Sequence, residues 1–430
     1  MLRKLLPSLS DLHARLHRAL LVALCACCLA PSAANAAGDL AGLQAGLSHQ
    51  LALAGRADGA YVYDITAKAP LFSERAETLR PPASIEKLYT ATTALTRMGP
   101  SAHLSTTVYG TGRLAPGGVW EGNLYLRGGG DPTFGSSAFI RTRYGGVGAS
   151  VATLATQLVH TDGIHRITGS VLGDESFLDS LPGDPSSDYA PDPFLEGTLS
   201  GLAFNRGESG PEKNPPAPHA PAAYAAHELW ATLKNDDVSI AGHSGAATTP
   251  AGATQLAQVA SPTLAQLLGL MLPSSDNFFA ETLVKDLGAL YGGAGSTAAG
   301  ASVVRQTIAT LLDIQPQVID GSGLSEADKT SPYQVTDLLV ELASTSIGSV
   351  LRGDLAVAGE TGTLSERMRN SGAAGRCEGK TGTLAGVSNL AGYCTAADGH
   401  TLAFAIFTDG IPTEAARTFQ DHMAITIADY

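Results

Sequence analysis

The sequence predicts a mixed fold of the α/β (α+β) class, in which helices pack on antiparallel strands. Residues 378–407 contain three short apolar runs separated by turn residues, the pattern of a β-meander. Apolar residues recur at helical spacing elsewhere, for example in residues 39–55 and 413–428. The chain has 430 residues, 44% of them hydrophobic, which is enough for two or three domains with sizeable cores.

Residues 1–36 are predicted to be a secretory signal peptide. A basic start precedes the apolar run 19–30, and Ala34-Asn35-Ala36 offers a small-residue cleavage site. The apolar run is too short to span a membrane, and no later stretch is long enough. Cys27 lies in an imperfect lipoprotein-like pattern, so a lipid anchor stays open as an alternative to a freely soluble exported protein.

The charge of the chain limits its partners. Loss of residues 1–36 removes four basic groups and one acidic group, and lowers the formal net charge from −13 to −16. Such a charge argues against nucleic acid as a partner. An anionic ligand must therefore be held by a few placed cations. The sequence has no His-Glu-x-x-His motif and no cluster of His and Cys, so we expect neither a metal nor another cofactor.

From residue 39 onwards, predicted helices and strands alternate along the chain. Helices are predicted at residues 39–55, 84–98, 150–161, 222–234, 263–272, 278–291, 303–312, 331–344 and 413–428. Strands are predicted at residues 59–65, 70–72, 106–112, 119–127, 164–172, 238–241, 378–387, 389–394 and 402–407. Residues 182–221 are rich in Pro, Gly, Ser and Asp, and we expect an irregular segment there.

The first motif with chemical meaning is Ser84-Ile85-Glu86-Lys87, which follows two prolines at the start of a predicted helix. Residues three apart lie on one face of a helix, so Ser84 and Lys87 should point the same way. A serine hydroxyl becomes a nucleophile when a neighbouring base takes its proton, and a lysine with a lowered pKa can do so. Alone, the pair is also compatible with an ordinary surface helix.

Two further motifs contain groups suited to the same chemistry. In Ser275-Asp276-Asn277, a hydroxyl and an amide stand two residues apart between predicted helices, although Ser and Asp also favour a helix N-cap. In Lys380-Thr381-Gly382-Thr383, a lysine and two hydroxyls on a predicted strand could bind a carboxylate. The glycine would let a ligand backbone approach the strand.

Residues 374–381 also fit a relaxed phosphate-binding loop. Such a loop must follow a buried strand and open a helix, whereas polar residues precede this segment and a strand-like run follows it. We therefore expect no nucleotide. Residues 360–364 repeat the pattern of Lys380-Thr381-Gly382-Thr383-Leu384, but Glu360 takes the place of Lys380. Because glutamate would repel a carboxylate, we expect residues 360–364 to lie outside the site.

Taken together, the three motifs are far more specific than any one of them. On their order the chain resembles the penicillin-recognising serine D,D-peptidases, and among these the type-4 low-molecular-mass penicillin-binding proteins, which are D-alanyl-D-alanine carboxypeptidase/endopeptidases. The resemblance spans nearly the whole mature chain. It includes Gly129-Gly130-Asp131-Pro132, Asp320-Gly321-Ser322-Gly323-Leu324-Ser325 and residues 379–393.

The resemblance implies a β-lactamase-like catalytic domain, with helices around a central antiparallel sheet, and an inserted accessory domain. We expect the catalytic domain in residues 37–103 and 259–430 and the insertion in residues 104–258; 187 residues separate Lys87 from Ser275. Two features depart from the family. Residues 182–221 leave little room for a third, nested domain, and Glu326 stands where many members have an arginine that reads an acidic group on the substrate side chain.

The resemblance also implies a catalytic role for five residues. Ser84 would attack the carbonyl between two D-alanines with Lys87 as its base, while Ser275, helped by Lys380, would protonate the leaving amine. Asn277 would hold the peptide amide.

Four more residues are expected to bind substrate. Lys380 and Thr381 would hold the terminal carboxylate, and the backbone N–H groups of Ser84 and Thr383 would form the oxyanion hole. Gly382 and Ser322 are expected beside the substrate.

The expected partners are peptidoglycan stem peptides, with β-lactam antibiotics as covalent inhibitors and the periplasm as the location, soluble or peripherally attached. Two alternatives stay open. A β-lactamase shares the motifs but seldom carries so large an insertion, and a wall-binding scaffold could keep the fold without turnover.

Cys377 and Cys394 are the cysteines that remain after residues 1–36 are lost. If the predicted hairpin reverses at Ala385-Gly386, the two cysteines stand directly opposite each other on antiparallel strands. Opposed Cα atoms lie about 4.5–5.5 Å apart, which overlaps the range of disulfides. We therefore predict a disulfide, against the alternative of two buried thiols.

Overall fold

The computed structural model describes residues 39–207 and 220–430 of the chain. The predicted signal peptide and Cys27 lie outside the described residues. No helix of the described ranges is both long enough and apolar enough to cross a bilayer.

The described helices follow most of the predicted periodic segments. They are α1 (Leu40–Ala54), α2 (Lys87–Met98), α3 (Ser137–Tyr144), α4 (Val151–Thr156), α5 (Pro221–Asn235), α6 (Leu264–Ser274), α7 (Asn277–Leu287), α8 (Thr297–Leu311), α9 (Pro332–Leu342), α10 (Ser346–Gly353) and α11 (Thr413–Asp429). Of these, α3 and α10 were not predicted. Each is only eight residues long, and a periodic pattern over two turns is a weak signal in a sequence.

The strands of the described residues form three sheets. They are β1 (Gly59–Asp64), β2 (Ala69–Glu74), β3 (Ser105–Gly110), β4 (Arg113–Ala115), β5 (Val119–Glu121), β6 (Leu124–Arg127), β7 (Arg166–Ile167), β8 (Val171–Asp174), β9 (Ser239–Ile240), β10 (Ser244–Ala246), β11 (Thr254–Ala260), β12 (Ala356–Val357), β13 (Cys377–Leu384), β14 (Val387–Thr395) and β15 (Thr401–Asp409).

The largest sheet is antiparallel, with strand order β12-β13-β14-β15-β1-β2, and contains the predicted meander. Helices cover both of its faces. Along β15, Leu402, Phe404 and Ile406 pack in a core with α1 and α11, whereas Ala403 and Phe407 pack in a second core with α2 and α6–α10. Because helices cover both faces, the central strands β14 and β15 are buried at nearly every position.

The other two sheets have strand orders β10-β8-β6-β3-β11 and β4-β5-β7-β9, and all their strands lie between Ser105 and Ala260. They surround a third core with α4 and α5. The chain leaves and returns at one place, where Ser261 N donates to Leu104 O at 2.8 Å. This arrangement supports the proposed division into a discontinuous catalytic part and an insertion.

The predicted irregular segment is described as far as residue 207. Its regular structure consists of short 3-10 turns, such as Pro185–Ser187 and Pro193–Leu195. Leu195 and Leu199 are buried in the same core as α2 and α7. The segment therefore packs against the helices that surround the three sequence motifs, although it belongs to the predicted insertion.

Candidate active site

Ser84 stands in a 3-10 turn, Ala83–Glu86, that leads directly into α2. Ala83 is buried and has φ of +48°, a left-handed conformation that costs a non-glycine residue energy and needs support from its surroundings. Part of this support comes from Asn389 on β14, whose side-chain amide donates to the carbonyls of Pro81 and Pro82, both at 2.9 Å. The central sheet therefore positions the turn that presents Ser84.

Lys87 is fully buried behind Ser84. Its Nζ donates to Ser84 Oγ at 2.9 Å, to Asn277 Oδ1 at 2.6 Å and to the Ser322 carbonyl at 2.7 Å. Burial lowers the pKa of Lys87 from 10.5 to about 8, although the nearby Asp320 carboxyl acts in the opposite direction. A substantial neutral fraction near pH 8 is what a base for the Ser84 proton requires.

The second motif lies at the junction of α6 and α7. Ser275 ends α6 in a left-handed conformation, φ +61°, and Asp276 caps α7 by accepting from Phe279 N at 3.0 Å. The N-cap alternative therefore holds for Asp276, which leaves Ser275 and Asn277 to face the cleft. Asn277 Nδ2 donates at 2.8 Å to the carbonyl of Phe194, in the irregular segment.

The third motif lies on β13, which ends beside the Ser84 turn. Lys380 is fully buried, and its Nζ donates to Ser275 Oγ at 2.7 Å and to its neighbour's carbonyl, Thr381 O, at 2.8 Å. Burial lowers the pKa of Lys380 well below its ordinary value, and the positive charge of Lys87 adds a smaller effect in the same direction. Ser84–Lys87 and Ser275–Lys380 therefore form two hydroxyl–amine pairs.

These motifs surround a cleft of about 250 Å³. The side chains that line it are Ser84, Ser275, Asn277, Thr363, Arg367, Thr381, Thr383 and Arg417. Five of them were predicted as site residues. Thr363, Arg367 and Arg417 were missed.

Thr363 corrects the exclusion of residues 360–364 from the site. Its Oγ1 lies 2.9 Å from Thr381 Oγ1, so the copy that carries Glu360 adds a hydroxyl to the cleft wall. The repeated Thr-Gly-Thr pattern was the available signal. Glu360 itself does not line the cleft.

Ser322 occupies a different place from the one predicted, and Gly382 lies against the turn that carries Ser84. Ser322 is buried, does not line the cleft, and uses its carbonyl to hold Lys87. A Cβ on Gly382 would lie 2.5 Å from the carbonyl oxygen of Pro82. The close approach of the Ser84 turn thus requires glycine at this position, and the approach of a ligand backbone to the strand edge stays a prediction.

Two buried carboxyl groups support the loop that binds Lys87. Glu281 Oε1 accepts from Gly321 N at 2.9 Å and Ser322 N at 2.8 Å, and Asp320 Oδ1 accepts from Gly323 N at 2.6 Å. Burial raises the pKa of Glu281 to about 8, and the negative charge of nearby Asp320 contributes a smaller part of this increase. Neither acid was predicted as a site residue, although Asp320 opens the motif Asp320-Gly321-Ser322-Gly323-Leu324-Ser325 on which the resemblance partly rests.

Cys377 and Cys394 are opposed on β13 and β14, in the predicted register, and form a disulfide with Cα atoms 4.1 Å apart. The bond lies at the end of β13 remote from Thr383. The residues after Lys380 continue a strand, so the helix that a phosphate-binding loop requires is not found at this place. Across the described ranges, no three His, Cys, Asp or Glu side chains are grouped so as to hold a metal ion.

Comparisons with known proteins identify relatives along most of the chain. The model of the D-Ala-D-Ala carboxypeptidase 3 (S13) family matches residues 41–192 and 208–430. A D-alanyl-D-alanine carboxypeptidase of Actinomadura sp. is 29% identical over 459 residues, which cover 88% of this chain and 82% of that protein. Carboxypeptidase DacB of Mycolicibacterium smegmatis is 29% identical over 385 residues, 85% of this chain and 79% of that protein.

Solved structures share the fold. Penicillin binding protein 4 of Haemophilus influenzae superposes with a TM-score of 0.74 at 21% identity, covering 90% of this chain and 99% of that one. A predatory peptidoglycan endopeptidase of Bdellovibrio bacteriovorus has a TM-score of 0.53 at 17% identity, covering 81% and 85%. The predicted fold of the penicillin-recognising proteins is therefore confirmed.

Proposed function

Because the chain belongs to the D-Ala-D-Ala carboxypeptidase 3 (S13) family, we propose that it hydrolyses D-Ala-D-Ala stem peptides or cross-links of peptidoglycan through an acyl-enzyme on Ser84. The observation that carries this proposal is the 2.9 Å hydrogen bond between Lys87 Nζ and Ser84 Oγ, at the wall of an open cleft. Nucleophile and base within hydrogen-bond reach are the geometric requirement of covalent catalysis.

In the acylation step, Ser84 Oγ attacks the carbonyl carbon of the penultimate D-alanine and its proton passes to neutral Lys87. The oxyanion that forms is stabilised by the backbone N–H groups of Ser84 and Thr383. Three hydrogen bonds hold Lys87 in place for this step.

The C–N bond then breaks, and the departing amine takes a proton from Ser275. Lys380, 2.7 Å from Ser275 Oγ, supplies a proton in turn or stabilises the charge that develops on that oxygen. Asn277, held by Lys87 and by the Phe194 carbonyl, presents its side chain to the substrate amide. Water then attacks the ester on Ser84, and its proton returns to the Ser275–Lys380 pair. The ester C–O bond breaks, and Lys87 gives the proton that it took back to Ser84 Oγ, which completes the cycle.

We extend the proposal to inhibitors and location. The structure of penicillin binding protein 4 of Haemophilus influenzae has been solved in complex with a β-lactam. A β-lactam ring contains an amide that Ser84 can attack as it attacks the peptide amide, and ring strain makes this amide more reactive. The predicted signal peptide, residues 1–36, together with a cell-wall substrate supports export to the periplasm, with at most a peripheral attachment to the membrane.

A labelled penicillin tests the proposal. The mature protein is incubated with the label and digested, the modified residue is identified by mass spectrometry, and the release of label is timed alongside D-alanine release from a D-Ala-D-Ala peptide. Persistent label on Ser84 with D-alanine release is expected. Rapid release would indicate a β-lactamase. Label with neither D-alanine release nor cleavage of a cross-linked peptide dimer would indicate a wall-binding scaffold, and no label on Ser84 would overturn the proposed mechanism.

A further inference from the structure

The cleft needs a cation that Lys380 does not supply. A terminal carboxylate has to exchange water for charged donors when it binds. Lys380 is fully buried, does not line the cleft, and uses its ammonium group on Ser275 and on the Thr381 carbonyl. Among the described residues that line the cleft, the cationic side chains are those of Arg367 and Arg417.

Arg367 is held rigidly. Its side chain is 11% exposed, with Nε 2.8 Å from Asp421 Oδ1 and Nη2 3.1 Å from Gln420 Oε1. Nη2 also donates to the carbonyl of Arg417 at 3.3 Å. The remaining nitrogen, Nη1, donates to no residue in the described part of the chain. A fixed guanidinium with an unused donor loses little entropy when it binds an anion.

Arg417 is the more exposed partner. It projects from α11 with 41% of its side chain exposed, and its Nη1 donates to the exposed Glu414 at 2.9 Å. Nε and Nη2 donate to no described residue. An exposed pair of this kind is weak, so a better-placed carboxylate can recruit the arginine.

Two hydroxyls complete the same wall. Thr363 Oγ1 and Thr381 Oγ1 lie 2.9 Å apart, so one hydroxyl proton is used between them. The second hydroxyl proton is available to a ligand. The cleft is thus lined by a hydroxyl donor and by guanidinium donors, the kinds of group that bind the oxygens of a carboxylate.

We propose that Arg367 and Arg417, with the Thr363–Thr381 hydroxyl pair, form the subsite that binds the α-carboxylate of the substrate's C-terminal D-alanine. The subsite replaces the predicted carboxylate contact of Lys380, which is left to proton transfer at Ser275. This inference rests on the proposed function, and it assigns specificity for a free C-terminus mainly to two arginines that lie outside the three sequence motifs.

The test compares a diacyl-Lys-D-Ala-D-Ala peptide with the same peptide carrying a C-terminal amide. The discrimination ratio is kcat/KM for the acid divided by kcat/KM for the amide. In Arg417→Ala it should fall about tenfold, mainly through a higher KM for the acid, because a charge-assisted hydrogen bond is lost. Arg417→Lys should recover part of the ratio. Arg367→Gln should lower it further, with thermal melting as a check that this variant folds.

Arg369→Ala is the matched control. Arg369 lies two residues from Arg367 and is paired with Glu366, with 51% of its side chain exposed, and it does not line the cleft. Its loss should leave the ratio unchanged.

An unchanged ratio in both Arg417→Ala and folded Arg367→Gln, with wild-type labelling of Ser84 by penicillin, would overturn the subsite and leave the proposed function intact. An equal fall in Arg369→Ala would mean that general charge, not a subsite, favours the acid. If the wild-type protein neither cleaves the peptide nor labels Ser84, the proposed function fails, and the subsite fails with it.

Discussion

Lys87 Nζ donates a 2.7 Å hydrogen bond to the carbonyl of Ser322, a residue 235 positions further along the chain. The Ser322 backbone is in turn fixed by Glu281 on α7 through its own N–H group. The amine beside Ser84 is therefore positioned by two distant segments as well as by its own helix. Catalysis at this site therefore depends on the assembled domain.

Ser84→Ala should abolish both penicillin labelling and D-alanine release, because no other group can replace the covalent partner. Lys87→Ala should lose nearly as much, and the double variant should be no worse than Ser84→Ala, since members of a nucleophile–base unit fail together. Rates are measured with a D-Ala-D-Ala peptide and with labelled penicillin. Ser349→Ala, at an exposed helix position, is the control. Wild-type labelling of Ser84→Ala would refute the assignment.

The pH dependence of acylation should report Lys87. If neutral Lys87 is the base, the acylation rate should rise with pH and level off above about 8, the pKa that burial produces. The unfolded lysine keeps its ordinary pKa of 10.5, so the unfolded chain binds more protons between about pH 8 and 10.5. The contribution of Lys87 to the free energy of unfolding should therefore rise with pH across that range.

Stopped-flow acylation and denaturant titrations at several pH values measure both effects. Lys87→Met removes one titrating group at similar side-chain length, and its unfolding free energy should rise less steeply with pH than that of the wild-type protein, where buried Lys380 also contributes. An acylation rate that is flat from pH 6 to 9 in the wild-type protein would contradict Lys87 as the base.

Reduction of the Cys377–Cys394 disulfide should destabilise the folded protein. Closing a loop with a sequence separation of 17 contributes about 3 kcal/mol. Because the bond braces the strand that carries Lys380 and Thr381, acylation should also slow. Alkylation of the unfolded mature protein should modify neither cysteine without reductant and both with it. Two modified cysteines in an exported, unreduced sample would show that the bond does not form.

Glu326 follows the Ser-Gly-Leu-Ser sequence and is exposed, outside the cleft lining. At this position the resemblance implies an arginine that reads an acidic substrate side chain. Glu326→Arg should therefore raise kcat/KM for peptides with a free diaminopimelate carboxylate by roughly tenfold, the value of one charged hydrogen bond. Glu326→Gln removes the charge without adding a donor. Equal kcat/KM for Glu326→Arg and Glu326→Gln would show that no arginine contact forms there.

Local sequence was sufficient for the parts of the site that depend on spacing. Ser84 and Lys87 are three residues apart on one helical face, and a two-residue turn at Ala385-Gly386 determines the register that opposes Cys377 and Cys394. The predicted meander follows from strand periodicity for the same reason. Such features require only the geometry of one helix or one hairpin.

The other features of the site depend on tertiary packing, so local sequence could not predict them. Arg367 and Arg417 reach the cleft from segments 50 residues apart, and no local pattern marks either of them. The close neighbour of Gly382 is the Pro82 carbonyl, which only the folded chain brings there. The burial of Lys380, which removes it from the cleft wall, likewise depends on the elements packed around it.

A buried ion pair joins the irregular segment to the second motif. Arg206 is fully buried, and its Nη1 and Nη2 lie 2.6 and 3.1 Å from the two carboxylate oxygens of Asp276. Its guanidinium carbon also lies 4.6 Å from the ring centroid of Phe278. Because Asp276 stands between Ser275 and Asn277, this pair positions both cleft residues.

Arg206→Ala should therefore lower the free energy of unfolding by roughly 3–5 kcal/mol, since it leaves Asp276 without its charge partner. Arg113→Ala, which breaks an exposed pair with Glu121 in which Arg113 is 77% exposed, should change stability by less than about 1 kcal/mol. The two variants are compared by urea titration.

If the Arg206–Asp276 pair also positions the second motif, its loss should slow acylation as well. At temperatures where Arg206→Ala is still folded, its acylation rate should fall while Arg113→Ala acylates normally. A folded Arg206→Ala with wild-type acylation would confine the pair to stability.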